Sequence, residues 1–222
     1  MDPLTLQLSV VGLALAGAGV IGAWMSYAAR KRTEAMSEMA RMMGWEFRAK
    51  DRELLGENLI GLRLFEQGRG REFMNVLRGG EGKERILLFD YAYTEGSGKS
   101  QHTARQSVAA FERAGRGLPR FELRPENLLH KIGSVFGYRD IDSKDFPAFS
   151  KAYLLRGQVE DDVRKVFKPI AIQYLEYNRG WCVEGCGDWL VMYREGRRAE
   201  PEDIPAFLED ARALNIVFPT HP

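Results

Sequence analysis

From Leu8 to Ala29 the chain carries no charged side chain, and Arg30-Lys31-Arg32 then closes the run abruptly. A helix of about 22 residues rises roughly 33 Å, enough for the hydrocarbon core of a bilayer with slight tilt. Trp24 and Tyr27 sit near its end, where amphipathic rings favour the headgroup level. A cleaved signal peptide is the competing reading. Met1 to Gln7, however, contains no Lys or Arg, whereas a signal peptide opens on a basic segment. The run is therefore read as a retained single-pass anchor flanked by Arg30, Lys31 and Arg32. Cations follow the span and none precedes it, so the positive-inside bias keeps the C-terminal side in the cytoplasm. Gly12, Ala16, Gly19 and Ala23 provide small residues at helical spacing, which leaves a homo-oligomer open, although they read more simply as filler in a weakly hydrophobic span.

The remaining ~190 residues suit one domain or two small ones. A 45% hydrophobic and 28% charged composition fits a folded α+β domain and argues against wholesale disorder. A net charge of +1 makes no electrostatic case for nucleic acid. Cys182 and Cys186 are too few for a disulfide scaffold and are expected as reduced thiols in the cytoplasm.

Helical periodicity continues through residues 30–44, where Ala35, Met36, Met39, Ala40, Met42 and Met43 form a stripe that predicts a juxtamembrane helix docked on the domain. A Met-rich adaptable binding surface is the alternative. Gly44 ends the helix. Strands are predicted at 59–65, 72–78, 85–94, 102–111 and 120–124, joined by glycine turns as an antiparallel meander. A short helix is expected from Pro125 to Gly133, then irregular chain over 140–151 and a strand at 152–156. A long helix follows over 160–177, kinked or split at Pro169. A hairpin over 181–186 and 189–194 precedes a last helix over 202–214. The expected organisation is an anchor over 1–29, a juxtamembrane helix over 30–44 and an α+β domain over 45–215, with a subdivision near 125–150 left open. Residues 216–222 read as a tail. The fold class is α+β: a transmembrane helix, then a largely antiparallel sheet with packing helices.

The motifs that suggest chemistry do not survive inspection of their spacing. Gly96-Ser97-Gly98-Lys99-Ser100 resembles a phosphate loop, but Tyr93 stands where that motif needs its first glycine, and a strand pattern follows instead of a helix. It reads as a hairpin tip. Gly68-Arg69-Gly70 lacks the third glycine of a dinucleotide fingerprint and reads as a turn. Cys182 and Cys186 would stand about 13 Å apart on a flat strand, and none of His102, His130 and His221 lies at ligand spacing, so no metal or cofactor is expected. Asp140, Asp142 and Asp145 lack the glycine and terminal glutamate of a calcium loop. Asp90, Glu184 and Asp188 are acids near strand ends, with His130 as a candidate base, but no nucleophile is placed against it. Arginines make the best ligand case: Arg69, Arg71, Arg78 and Arg85 fall on one predicted hairpin and would contact anionic headgroups if they converge near the bilayer. A solvated strand face paired with nearby Glu is the simpler alternative.

Phe89-Asp90-Tyr91-Ala92-Tyr93-Thr94-Glu95-Gly96-Ser97-Gly98-Lys99, Leu118-Pro119-Arg120-Phe121-Glu122-Leu123-Arg124-Pro125-Glu126, and Asp140-Ile141-Asp142 with Phe149 and Tyr153-Leu154-Leu155-Arg156-Gly157 resemble a group of uncharacterised bacterial single-pass membrane proteins with a C-terminal domain of unknown function. The resemblance covers nearly the whole chain. It implies a bacterial inner-membrane protein and supplies no catalytic residues. The resulting expectation is a membrane-tethered, non-catalytic binding or scaffold module whose partners are the lipid bilayer or a protein. The alternative is a membrane-anchored enzyme, such as a hydrolase using acids around Asp90 and Asp188.

Overall fold

A computed structural model of the chain describes residues 3–54, 59, 61–126, 139–141 and 146–219; the side chains of residues 3–19 and 21 lie outside the described set. Helix α1 (Pro3–Met43) is continuous through the apolar run and the Met-rich stripe. Among the described residues no helix is long and apolar enough to cross a membrane. Most side chains of the run from Leu8 to Ala29, including Gly12, Ala16 and Gly19, fall outside that set.

Nine strands follow among the described residues: β1 (Glu46–Lys50), β2 (Arg69–Glu81), β3 (Glu84–Glu95), β4 (His102–Arg113), β5 (Leu118–Pro125), β6 (Arg139–Asp140), β7 (Tyr153–Gly157), β8 (Cys182–Gly187) and β9 (Trp189–Tyr193). They form one antiparallel sheet in the order β1-β2-β3-β4-β9-β8-β5-β7-β6. The expected meander is present over 72–78, 85–94 and 102–111 as β2 to β4, and β1, which is not among the predicted strands, extends it beside β2. The β8–β9 hairpin then inserts between β4 and β5, a long-range pairing that local periodicity does not encode. Helices α2 (Arg63–Glu66), α3 (Pro147–Ala152), α4 (Glu160–Val166), α5 (Pro169–Tyr177) and α6 (Ile204–Val217) complete the fold.

Alternation divides the sheet into two buried faces. On the first, Leu77, Leu88, Ala109, Met192, Val183, Leu123 and Leu155 are cross-strand neighbours in one continuous row, all buried, beneath α1 and α3 to α6. The row next to it faces the other way. It begins with buried Leu87, Ala110 and Val191 and then becomes charged at Glu184 and Glu122. This second face is covered by Leu54, Leu59, Leu62, Leu64 and Phe65.

Several sequence expectations change. Among the described residues of 59–65 there is no strand. Of those described, Arg63–Glu66 form α2, because Leu62, Leu64 and Phe65 roof the second face instead of joining the ladder. In the docked part of α1, Met42 is 71% exposed while Arg32 is 5% exposed, so the buried stripe is Arg32, Met36, Met39 and Ala40. The 160–177 helix is split: α4 ends before Phe167, and Pro169 opens α5 at a position that needs no N–H donor. Residues 140–151 are partly regular, with β6 ending at Asp140 and α3 starting at Pro147. The helix expected over 125–133 lies outside the described residues from 127 on, as does His130. Arg116, 2% exposed, secures the C-terminal end of α6 by donating to Asn215 Oδ1 (2.7 Å) and Pro219 O (3.3 Å).

Trp45, which leaves α1 after the Gly44 turn, lies flat over β2. A Cβ built on Gly79 would stand 2.2 Å from its ring. Gly79→Ala is therefore expected to reduce unfolding free energy by ~1–3 kcal/mol in urea titration. The loss should be smaller in a Trp45→Ala background; equal losses in both backgrounds would rule out this contact as the cause.

Candidate functional site

The most elaborate polar construction in the core is at Arg32. Its guanidinium grips the Asp90 carboxylate with two bonds, Nε to Oδ2 and Nη2 to Oδ1, each 2.7 Å. Its Nη1 donates to the carbonyl of Ala199, also at 2.7 Å. Asp90, 1% exposed, also accepts from Asn75 Nδ2 (2.9 Å) and Ser107 Oγ (3.2 Å). Ser107 Oγ in turn accepts the Ala199 N–H (3.1 Å), and Thr33 Oγ1 donates to Asn75 Oδ1 (2.8 Å). Asn75 reaches the carboxylate from a register irregularity in β2, with a φ of +50° that Asn tolerates better than most residues. One carboxylate thus joins α1, β2, β3, β4 and the β9–α6 connection.

A second polar cluster lies on the opposite face of the sheet. Glu184 on β8 stands directly across the ladder from Glu122 on β5. Glu184 is 1% exposed and accepts the Leu64 N–H of α2 with both oxygens (3.2 and 3.1 Å) and the Tyr193 hydroxyl with Oε1 (2.8 Å). Arg124 contacts Glu122 through Nε, donates to Glu195 (3.1 Å), and reaches Gln67 Oε1 and the Tyr193 oxygen. Arg63 of α2 closes the set on Glu122 Oε2 (3.1 Å). Burial, then the facing Glu122, push the Glu184 carboxyl up to about 7, against the opposing pull of Arg124 and its hydrogen bonds. A cleft of about 40 Å³ reaches Glu184 between Gly61, Arg63 and Glu66 on one side and Arg120, Phe121 and Glu122 on the other. That volume holds a water or two, not a substrate. Elsewhere, an open pocket of about 270 Å³ is lined by Ile141, Phe146, Phe149, Leu155, Phe167, Pro169 and Ile172 together with Arg164.

The hairpin arginines do not come together. Arg69 and Arg71 lie at one end of β2, where Arg69 donates to Gly96 O and Gln101, and Arg71 donates to the carbonyls of Glu66, Gln67 and Gly68. Arg78 and Arg85 lie at the other end, on Asp51 and Glu112 respectively, with Arg85 also over the Trp189 ring. Of the basic flank, Arg30 and Lys31 are exposed, whereas Arg32 belongs to the core. The acids of the hydrolase reading are separated. Asp90 is held by Arg32. Asp188 accepts the Arg116 N–H (3.0 Å) in the β8–β9 turn, where its carbonyl meets Arg113, about 20 Å along β4 from Ser107. Cys182 and Cys186 are free thiols, and burial pushes Cys182 up to about 12. No group of three or more metal-binding side chains occurs among the described residues. Gly98–Ser100 form a 3-10 turn joining β3 to β4.

No protein-family model matches the chain, and no curated protein matches it. The fold is shared with a solved structure, the crystal structure of the mycobacterial trehalose monomycolate transport factor A, TtfA. The similarity has a TM-score of 0.64 at 12% sequence identity and covers 87% of this chain and 97% of that one.

Removing one partner of a buried ion pair leaves the other charge uncompensated, so Arg32→Met is expected to destabilise the domain by ~3–5 kcal/mol. Arg32→Met combined with Asp90→Leu should recover most of that loss. Chemical denaturation of the two variants checks this, and a neutral Arg32→Met would remove the pair from any structural role.

Proposed function

We propose that the chain is a membrane-tethered, non-catalytic binding or scaffold module of the bacterial cytoplasmic membrane, with its α+β domain on the cytoplasmic side. The observation that carries this reading is the continuity of α1. The uncharged run ends at Ala29, Arg30 and Lys31 are exposed, and Arg32 is already in the core of the domain. No linker separates the tether from the latch, so the domain would ride close to the bilayer. In that position Arg30 and Lys31 meet anionic headgroups, each contributing about 1 kcal/mol. The likeness in fold to a factor named for trehalose monomycolate transport supports a lipid-transport-related role, with membrane lipid or another membrane protein as the partner. The open pocket lined by Phe149, Phe167 and Ile172 beside Arg164 supplies apolar contacts for such a partner.

One observation favours an enzyme instead: a buried carboxylate, Glu184, at the base of a cleft. Its volume and the engagement of both Glu184 oxygens by Leu64 and Tyr193 weigh against that reading.

Alkaline carbonate washing of bacterial membranes is expected to leave the full chain in the pellet. A C-terminal alkaline phosphatase fusion is expected to be inactive and a C-terminal green fluorescent protein fusion fluorescent. Release into the supernatant would contradict the tether, and phosphatase activity would contradict the sidedness.

A further inference from the structure

Two carboxylates oppose each other beneath α2. Glu122 is held by Arg124 and Arg63, Glu195 by Arg124, and Glu184 joins Arg124 through the Tyr193 hydroxyl. Glu122 and Glu184 are direct cross-strand partners, the placement in which like charges oppose one another most strongly. Burial raises the Tyr91, Tyr193 and Cys182 groups, which keeps them neutral. Arg120 lines the mouth of the cleft and faces Glu66 at 3.0 Å, and Arg71, whose charge is felt at Tyr91, donates to the carbonyls of Glu66 and Gly68.

The Glu184 carboxylate ties α2 to the sheet. Helix α2 is only one turn long, and its polar ties to the sheet include Leu64 to Glu184, Arg63 to Glu122, and Glu66 to Arg120 and, through its carbonyl, to Arg71, with Gln67 just after it on Arg124. The cleft runs directly under this turn to Glu184, so lifting α2 would hydrate that side chain.

We propose that Glu184 is a proton site that sets how firmly α2 closes over the cleft. A proton on Glu184 ends the opposition with Glu122, while one oxygen still accepts from Leu64 and Tyr193. Lifting α2 returns the carboxyl to water and to its ordinary acidity, so the open form binds fewer protons than the closed form. Opening is therefore favoured as pH rises. The sign follows from linkage: the closed state's advantage is complete below the ordinary glutamate range near 4.5 and is lost as pH rises through about 7. At acid pH the cleft is shut. Above neutrality it opens more often and exposes Glu184, Glu122 and the rim arginines to whatever partner the domain meets.

Amide hydrogen exchange on the purified full-length chain tests this without reference to the membrane. After correction for the intrinsic pH dependence, the protection of Leu64 and Phe65 is expected to fall at least about tenfold between pH 5 and pH 8. Protection of β3 and β4 over the same range should change much less. In Glu184→Gln the α2 protection should be high and independent of pH. Should that variant fold poorly, Glu122→Gln serves in its place: with the facing charge removed, the fall in protection should move to lower pH. A carboxylic-acid C=O band in the infrared spectrum that disappears on raising the pH through 7, and is missing in Glu184→Gln, would support the same assignment. Flat protection of Leu64 in the native chain, or an unchanged pH response in both variants, would overturn it.

Discussion

A fully buried guanidinium–carboxylate pair can exist only where nearly every donor and acceptor is satisfied, because the desolvation cost of each ion is several kcal/mol. Arg32 and Asp90 meet that condition by recruiting Asn75, Ser107 and the Ala199 backbone. The requirement constrains much of the fold. β2 must break register to present Asn75, β4 must place Ser107 on the α1 face, and the chain after β9 must return across the sheet so that Ala199 can receive Nη1. Apolar packing of Met36, Met39 and Ala40 would hold α1 against the sheet with some freedom to slide. The ion pair fixes its register, the best-attested use of a buried charge.

The two polar clusters sit on opposite faces of one sheet and are built differently. Around Asp90 the charges match and the carboxylate is wrapped from several sides, which suits a permanent joint. Around Glu184 a second carboxylate, Glu122, faces it across the ladder and resists its ionisation, and a cleft gives access. The contrast separates a static role in positioning the domain from a responsive role in covering a cleft. In the proposed setting, the first keeps the sheet close to the bilayer and the second acts on the face that α1 leaves free.

Much of the fold was legible in sequence because alternation and glycine turns report local geometry directly. β2, β3 and β4 were readable from 72–78, 85–94 and 102–111, and Pro169 announced the break between α4 and α5. What was hidden depends on partners distant in sequence. Arg32 looked like the last residue of a basic membrane flank, and only its spacing to Met36, Met39 and Ala40 hinted that it belongs to the docking face. Leu59 to Phe65 looked like a strand because a short apolar run carries no period that separates a ladder from a roof. Glu184 was visible as an acid near a strand end. Its position between Cys182 and Cys186 on an inward-facing strand was the available signal that it is buried, but its opposition to Glu122 arises only when β8 pairs with β5, a register set by the whole sheet. The arginines fall on one hairpin in the sequence, but how far apart they stand depends on strand length: Arg69 and Arg78 lie at opposite ends of a long strand with separate acceptors.

The claim on which this account depends is that α1 and the sheet form one rigid unit joined at Arg32. Pulsed electron–electron distance measurement tests it most directly, with spin labels at Tyr27 on α1 and Glu112 on β4 in a full-length chain whose Cys186 is replaced by serine. The account predicts a single narrow distance distribution that broadens markedly in Arg32→Met. A broad distribution in the native chain, or a narrow one unaffected by Arg32→Met, would contradict it.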